Sequence, residues 1–297
     1  MHAATFTLLA TALLGGPAVR SDRSPTQSQA IIPYCQVLLI HDTDVPAQET
    51  GLLVALNVTE GDVVRQHELL AQIDDRPALL DKLAAELERD VAQARADDDI
   101  EVRYSKKSSE LADQELKQSL DINRKSPGAL SIAEVRRQQL AKHRAELQID
   151  RSRLDLRIAQ MTADVQGAAV QAVDESILRR RITAPFEGSV IEVYREANEW
   201  VNAGEPVIRV VRLDQLRVDG FLNAAQYDAA EVIDRDVTVE IELARGRREQ
   251  FAGRVVFVNP QVQAGQKYRI RAVVENRQEN GNWLLLPGAT ATMAIQL

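Results

Sequence analysis

Apolar residues recur with two different periods along this chain. Between Gly51 and Asp74 they come in short strand-like runs, Leu52 to Val58, Val63-Val64 and Leu69 to Ile73, separated by tight turns such as Glu60-Gly61-Asp62. The same arrangement returns without a gap at an offset of 137 residues. Gly51 aligns with Gly188, Leu53 with Val190, Leu56 with Val193, Asp62 with Glu199, Val64 with Val201, Glu68 with Glu205, Leu70 with Val207 and Ile73 with Val210. Glycine, acid and apolar positions coincide together over roughly twenty positions, which points to one small β module in two halves.

Between the halves the period becomes helical. Asp74, Asp75 and Pro77 mark a helix start, since acids suit the positive end of a helix and proline its first turn. No glycine or proline follows until Ser126-Pro127-Gly128, so about 48 residues, or about 72 Å of helix, are expected in one piece. Ser131 with Glu134 has the form of a capping box opening a return helix to about Leu178. On it Leu140, Leu147, Leu154, Met161 and Ala168 fall seven apart, with Ile158, Val165 and Ala172 beside them, and they are expected to form the seam of a coiled-coil hairpin. The outgoing helix offers Leu80, Leu83, Leu87, Val91, Ala94, Tyr104, Leu111, Leu116 and Leu120; its Asp97-Asp98-Asp99 run reads as a solvated face.

The remaining segments complete the division. Residues 1–20 combine an apolar run with a small-residue exit and predict a signal peptide, although only His2 stands where Lys or Arg is usual. A linker is expected over 21–33, a strand joining a barrel over 34–50, the first half-module over 51–76, the hairpin over 77–178, the second half-module over 179–211 and a small β-barrel over 212–297. The barrel strands are read at Val237 to Leu243, Gly253 to Val258, Arg269 to Val274 and Thr290 to Leu297, with a helical turn near Ala224 to Glu231. The fold class is therefore α+β and elongated.

Composition narrows the function. A formal net charge of -8 and 4% aromatic residues argue against nucleic acid as a partner. Cys35 is the single cysteine, so no internal disulfide forms, and it is expected to face a core. The four histidines at 2, 41, 67 and 143 are scattered, and no nucleophile-elbow, P-loop or dinucleotide pattern occurs, so neither a metal, a cofactor nor catalysis is expected.

The chain resembles the periplasmic adaptor or membrane fusion proteins of the HlyD-like family. The residues carrying this are Gly51-Leu52-Leu53-Val54 through Glu60-Gly61-Asp62-Val63-Val64, the exit Leu70-Ala71-Gln72-Ile73-Asp74, the re-entry Thr183-Ala184-Pro185-Phe186-Glu187-Gly188 and the turn Leu286-Pro287-Gly288-Ala289. The resemblance implies a lipoyl-like module split by an α-hairpin and followed by a β-barrel. It also implies an adaptor between an inner-membrane transporter and an outer-membrane channel, working in rings of several copies at the periplasmic side of the envelope. Lys82 falls on the helix, so the lysine of a true lipoyl or biotinyl carrier is missing.

Three features depart from the family. His67 occupies a position usually held by glycine, as Gly204 does in the second half, so an altered first turn is expected. Many pump adaptors carry an arginine, a leucine four on and a serine seven further at the tip; with Ser131 as that serine, Leu120 and Arg124 stand in the other two places. The chain ends with the barrel, which leaves few residues for a further membrane-proximal domain. The candidate partner-binding residues are those at the tip: Arg124, Lys125, Leu130, Ser131 and Glu134. Arg179-Arg180-Arg181 reads as a cation-rich helix end. The competing reading is a coiled-coil spacer of the envelope with no transport partner.

Overall fold

Residues 29–297 are described by the computed structural model, and the expected signal segment 1–20 lies outside the described residues. The chain divides into two units, one of residues 41–213 and one joining the N-terminal segment up to Ile40 to residues 214–297. Before the hairpin come β1 (Gln29–Leu39), β2 (Asp42–Pro46), β3 (Gly51–Leu56), β4 (Val63–Val64) and β5 (Leu69–Ile73). The helices are α1 (Arg76–Ala96), α2 (Ile100–Lys125) and α3 (Ile132–Arg179). Then follow β6 (Arg181–Thr183), β7 (Gly188–Val193), β8 (Trp200–Val201), β9 (Pro206–Val211) and β10 (Gln215–Asn223), with a short α4 (Ala229–Val232). The chain closes with β11 (Asp236–Glu242), β12 (Arg248–Val258), β13 (Lys267–Glu275), the small pair β14 (Gln278–Glu279) and β15 (Asn282–Trp283), and β16 (Thr290–Gln296).

The repeat is visible in the hydrogen bonds of the first unit. Two four-stranded sheets, ordered β2-β9-β7-β4 and β6-β5-β3-β8, each take a two-residue strand from the opposite half. Leu53 N donates to Glu199 O at 2.8 Å, and at the repeat-equivalent place Val190 N donates to Asp62 O at 2.9 Å. His67 N reaches Ala184 O at 2.8 Å, and Gly204 N reaches Ala47 O at 2.8 Å. Left-handed residues also correspond, Gly61 with Asn198 and His67 with Gly204. The turn at His67 is therefore not altered: histidine adopts the positive φ that its glycine counterpart adopts, at some cost in strain. Leu53, Leu70, Ile73, Ile182, Val190, Val207, Ile208 and Val210 fill the space between the sheets. The hairpin enters between β5 and β6, where Ile73 N donates to Arg180 O at 2.9 Å.

The second unit is a closed barrel in the order β1-β10-β13-β12-β11-β16. Alternation fills its interior, with Leu216, Val218 and Leu222 on β10, Tyr268, Ile270, Ala272 and Val274 on β13, and Met293 and Ile295 on β16. Cys35 is fully buried, its thiol donates to Ile32 O at 3.3 Å, and burial pushes its pKa up to about 11. A Cβ on Gly220 would lie 2.8 Å from that sulfur, so β10 needs glycine there.

Several boundaries differ from the sequence reading. β1 begins at Gln29, inside the segment read as the linker 21–33, because Ala30, Ile32, Cys35 and Val37 are buried along it and a bulge at Tyr34 (φ 60°) absorbs Pro33. The strand expected over 34–50 is two strands in different units, since β2 pairs with β9 rather than with the barrel. Strand β10 was not anticipated; Gly220 holds one of its alternating buried positions, where the sequence offers no apolar side chain to mark it.

Candidate partner-docking site: the hairpin and its tip

The outgoing arm is not one helix. Asp97, Asp98 and Asp99 separate α1 from α2, and the Asp98 carboxylate accepts from Ile100 N at 3.0 Å. Three acids oppose the negative end of α1 and suit the positive start of α2, and aspartate competes for backbone donors, so the helix stops and restarts. The run is solvated, as expected, but it is a break and not a helical face. The return arm α3 is unbroken for 48 residues, about 72 Å.

The seam between the arms uses a different register from the leucine row. Ile149, Ser152, Leu156, Ala159, Ala163, Val170 and Val173 of α3 are buried or half-buried, in the alternating three-and-four spacing of a coiled coil. Facing them, Ala92 and Ala96 pack on Ala163, and Ser105 Oγ lies 2.8 Å from Ser152 Oγ. Lys82 pairs with Asp174 at 2.8 Å and Lys142 with Asp113 at 2.7 Å, and Lys117 and then Lys142 hold the Asp113 carboxyl below the usual range. Leu140, Leu147, Leu154, Ile158, Met161 and Val165 are instead exposed, as are Leu80, Leu83, Leu87, Val91, Tyr104, Leu111 and Leu120. Of the outgoing stripe only Leu116 is buried. The leucines sit two residues before successive seam positions, about 200° around the helix, and so point away from the other arm.

The tip is built by short-range bonds. Gly128 (φ 88°) turns the chain, Ala129 N donates to Ser126 O at 3.1 Å, and Asn123 clamps Leu130, accepting from its N–H at 2.9 Å and donating to its carbonyl at 3.3 Å. Ser131 caps α3 by accepting from Glu134 N at 3.2 Å. The expected capping box is only half made, because the Glu134 carboxylate turns to Arg137 at 2.7 Å. Arg124, Lys125 and Ser131 are exposed, Leu130 and Glu134 half-buried, and Lys125 makes a one-turn pair with Asp121 at 2.7 Å. All five residues named from the sequence thus sit at the hairpin end. Asn123 was missed; an amide in the last turn of a helix, seven residues before Leu130, was the available signal.

The family description for the RND MFP barrel-sandwich hybrid domain matches residues 41–213. The chain belongs to the RND membrane fusion proteins. Among solved structures, the fold of this membrane fusion protein is similar to MacA from Actinobacillus actinomycetemcomitans, with a TM-score of 0.64 and 19% identity over 91% of this chain and 78% of that one. It is also similar to the membrane fusion protein Spr0693 from Streptococcus pneumoniae R6, with a TM-score of 0.53 and 17% identity over 91% and 99% of the two chains. Multidrug resistance protein MdtN of Escherichia coli O6:H1 is 26% identical over 200 residues, which cover 57% of this chain and 56% of MdtN. MdtA of Photorhabdus laumondii is 27% identical over 230 residues, 74% of this chain and 49% of MdtA. The alignments thus span about half the length of these two relatives.

Other charged groups of this membrane fusion protein are engaged locally. Arg179 pairs with Glu49 at 3.0 Å, and the Arg180 guanidinium donates to Asp74 O at 2.8 Å, so the arginine run ties the end of α3 to the sheets. Asp74, hydrogen-bonded by Arg76, is held down at about 2. His143 lies on the exposed side of α3, 3.1 Å from the Glu146 carboxylate. No helix among the described residues is long and apolar enough to cross a membrane.

Proposed function

We propose that this membrane fusion protein is the adaptor of an efflux complex, held in the periplasm between an inner-membrane transporter and an outer-membrane channel. In this reading the two strand-exchanged sheets are a lipoyl-like module divided by the hairpin, several copies act together, and the hairpin end is offered to a partner. The observation that carries it is the tip itself, a loop clamped by Asn123 that exposes Arg124 and Lys125 at the end of a 48-residue arm. An arm of that length with a preshaped charged end suits contact at a distance. The multidrug resistance names of the relatives support a role in efflux.

Reversing both charges, Arg124→Glu with Lys125→Glu, tests this. The Lys125–Asp121 pair is exposed and contributes little to stability, so folding is spared. Export and cross-linking to envelope partners are expected to fall together; wild-type levels of both would overturn tip docking. Ser131→Ala is less clean, because losing the cap alone costs about 1 kcal/mol.

A further inference from the structure

Positive charge gathers on one stretch of the barrel wall. Alternation along β13 turns Tyr268, Ile270 and Ala272 inward, and the outward places beside them hold Lys267, Arg269 and Arg271, a basic stripe of about 14 Å. On β10 the register sets Asn223 opposite Lys267, Phe221 opposite Arg269 and Asp219 opposite Arg271, with Arg217 two places further along. Asp219 is the single carboxylate of this stretch, and it is already shared: Arg217 and Arg271 each approach it to 3.3 Å. Lys267 and Arg269 form no ion pair among the described residues, and Arg269 Nε is buried without a hydrogen-bond partner. In a chain of formal net charge -8 this is a local surplus of cations with no internal counter-ion.

Aromatic side chains border the stripe on both sides. From β12, Phe257 stands in register with Arg271, whose guanidinium carbon lies 5.7 Å from the centre of the ring. Phe257 stays partly exposed, and the bulge beside it turns Val256 to solvent as well. On the other side Phe221 is half exposed. Continuing the β1–β10 register by two residues beyond Gln36 and Asp219 brings Tyr34, 87% exposed, level with Phe221.

We propose that this wall binds the surface of an anionic phospholipid bilayer, with headgroup phosphates on Lys267, Arg269 and Arg271 and with Tyr34, Phe221 and Phe257 entering the boundary between headgroups and acyl chains. Neighbouring guanidinium groups call for an acceptor with several oxygens, and a phosphate satisfies them through paired hydrogen bonds. The exposed rings call for hydrocarbon at the same place. A bilayer carrying anionic headgroups supplies both in one surface, whereas free phosphate would leave the rings in water. Shape argues against an acidic protein. Protein partners seat their aromatic and arginine anchors in pockets, while the outside of a barrel is convex and suits a surface that deforms around it. The stripe lies in the barrel unit, so it neither needs nor excludes a partner at the hairpin tip.

Flotation of the purified full chain with lipid vesicles tests this. The chain is expected to float with vesicles of phosphatidylglycerol and phosphatidylcholine in equal parts, and not with phosphatidylcholine alone. Binding at about 0.1 M salt should vanish at about 1 M, where the screening length falls from about 10 Å to about 3 Å. Lys267→Gln with Arg269→Gln breaks no ion pair and is expected to weaken binding about 30-fold with melting unchanged. Should that variant melt early, the salt series and the neutral vesicles still decide with the wild-type chain. Phe221→Ser should weaken binding while leaving its salt dependence as it was. The tip reversal at Arg124 and Lys125, a larger change of charge, should leave flotation intact even where it abolishes export. Equal binding to neutral vesicles, or undiminished binding by a folded Lys267/Arg269 double variant, overturns the proposal. Saturable binding of inorganic phosphate without flotation would give the stripe to a free anion, and retention on poly-glutamate without flotation would give it to an acidic protein; either result overturns it too.

Discussion

Gly51 and Gly188 hold equivalent places in the two halves, yet they tolerate a methyl group differently. A Cβ on Gly188 would lie 2.4 Å from the backbone oxygen of Val211, which cannot swing aside without breaking the β7–β9 ladder. On Gly51 it would meet Ile73 Cγ2 at 2.6 Å, the branch of a side chain that can change rotamer within its core. Gly188→Ala is accordingly expected to destabilise by about 2–3 kcal/mol and Gly51→Ala by about 1 kcal/mol. Urea unfolding midpoints would show the order, and equal midpoints would contradict it. Both glycines could be paired from sequence by the repeat, but their unequal surroundings could not, since spacing does not say whether backbone or side chain lies opposite. His67 shows the converse: it breaks the expected glycine pattern, and the backbone keeps its left-handed turn regardless.

At the scale of elements, the two helical registers make opposite predictions for the same kind of substitution. Val170 is buried in the seam, so Val170→Asp places a charge against the other arm and is expected to cost about 3 kcal/mol or more of hairpin stability, read as an earlier helical melt at 222 nm. A melt unchanged from wild type would show that the seam lies elsewhere. The period of seven was legible in the sequence, and so were the hairpin, its Ser126-Pro127-Gly128 breaker and its Ser131 cap. Which position of the seven faces inward was not. Leucine draws the eye, while this seam is built largely of alanine and serine, such as Ala92, Ala96, Ser105 and Ala163, which let the arms approach closely. The break at Asp97–Asp99 was hidden for a related reason: neither glycine nor proline marks it, only three acids whose effect depends on which helix end they meet.

Across the molecule, the sheets of the first unit predict independence from the hairpin. Because Ile73 N already bonds Arg180 O, the chain ends left by removing residues 77–178 are adjacent and need only a short turn. Such a protein is expected to lose its helical signal and keep slow hydrogen exchange at the Leu53 and Val190 amides; fast exchange there would show that the halves do not fold without the rod. The barrel closed as the alternating pattern suggested, but the partner of each short strand was unreadable, because β4 and β8 are two residues long and cross to the other half. That crossing has a mechanical consequence. Tension drawn along the hairpin reaches β5 and β6 at one edge and loads their ladders along the strand direction, so several hydrogen bonds must give way in shear at once, and the traded strands pin each half to the other while they do.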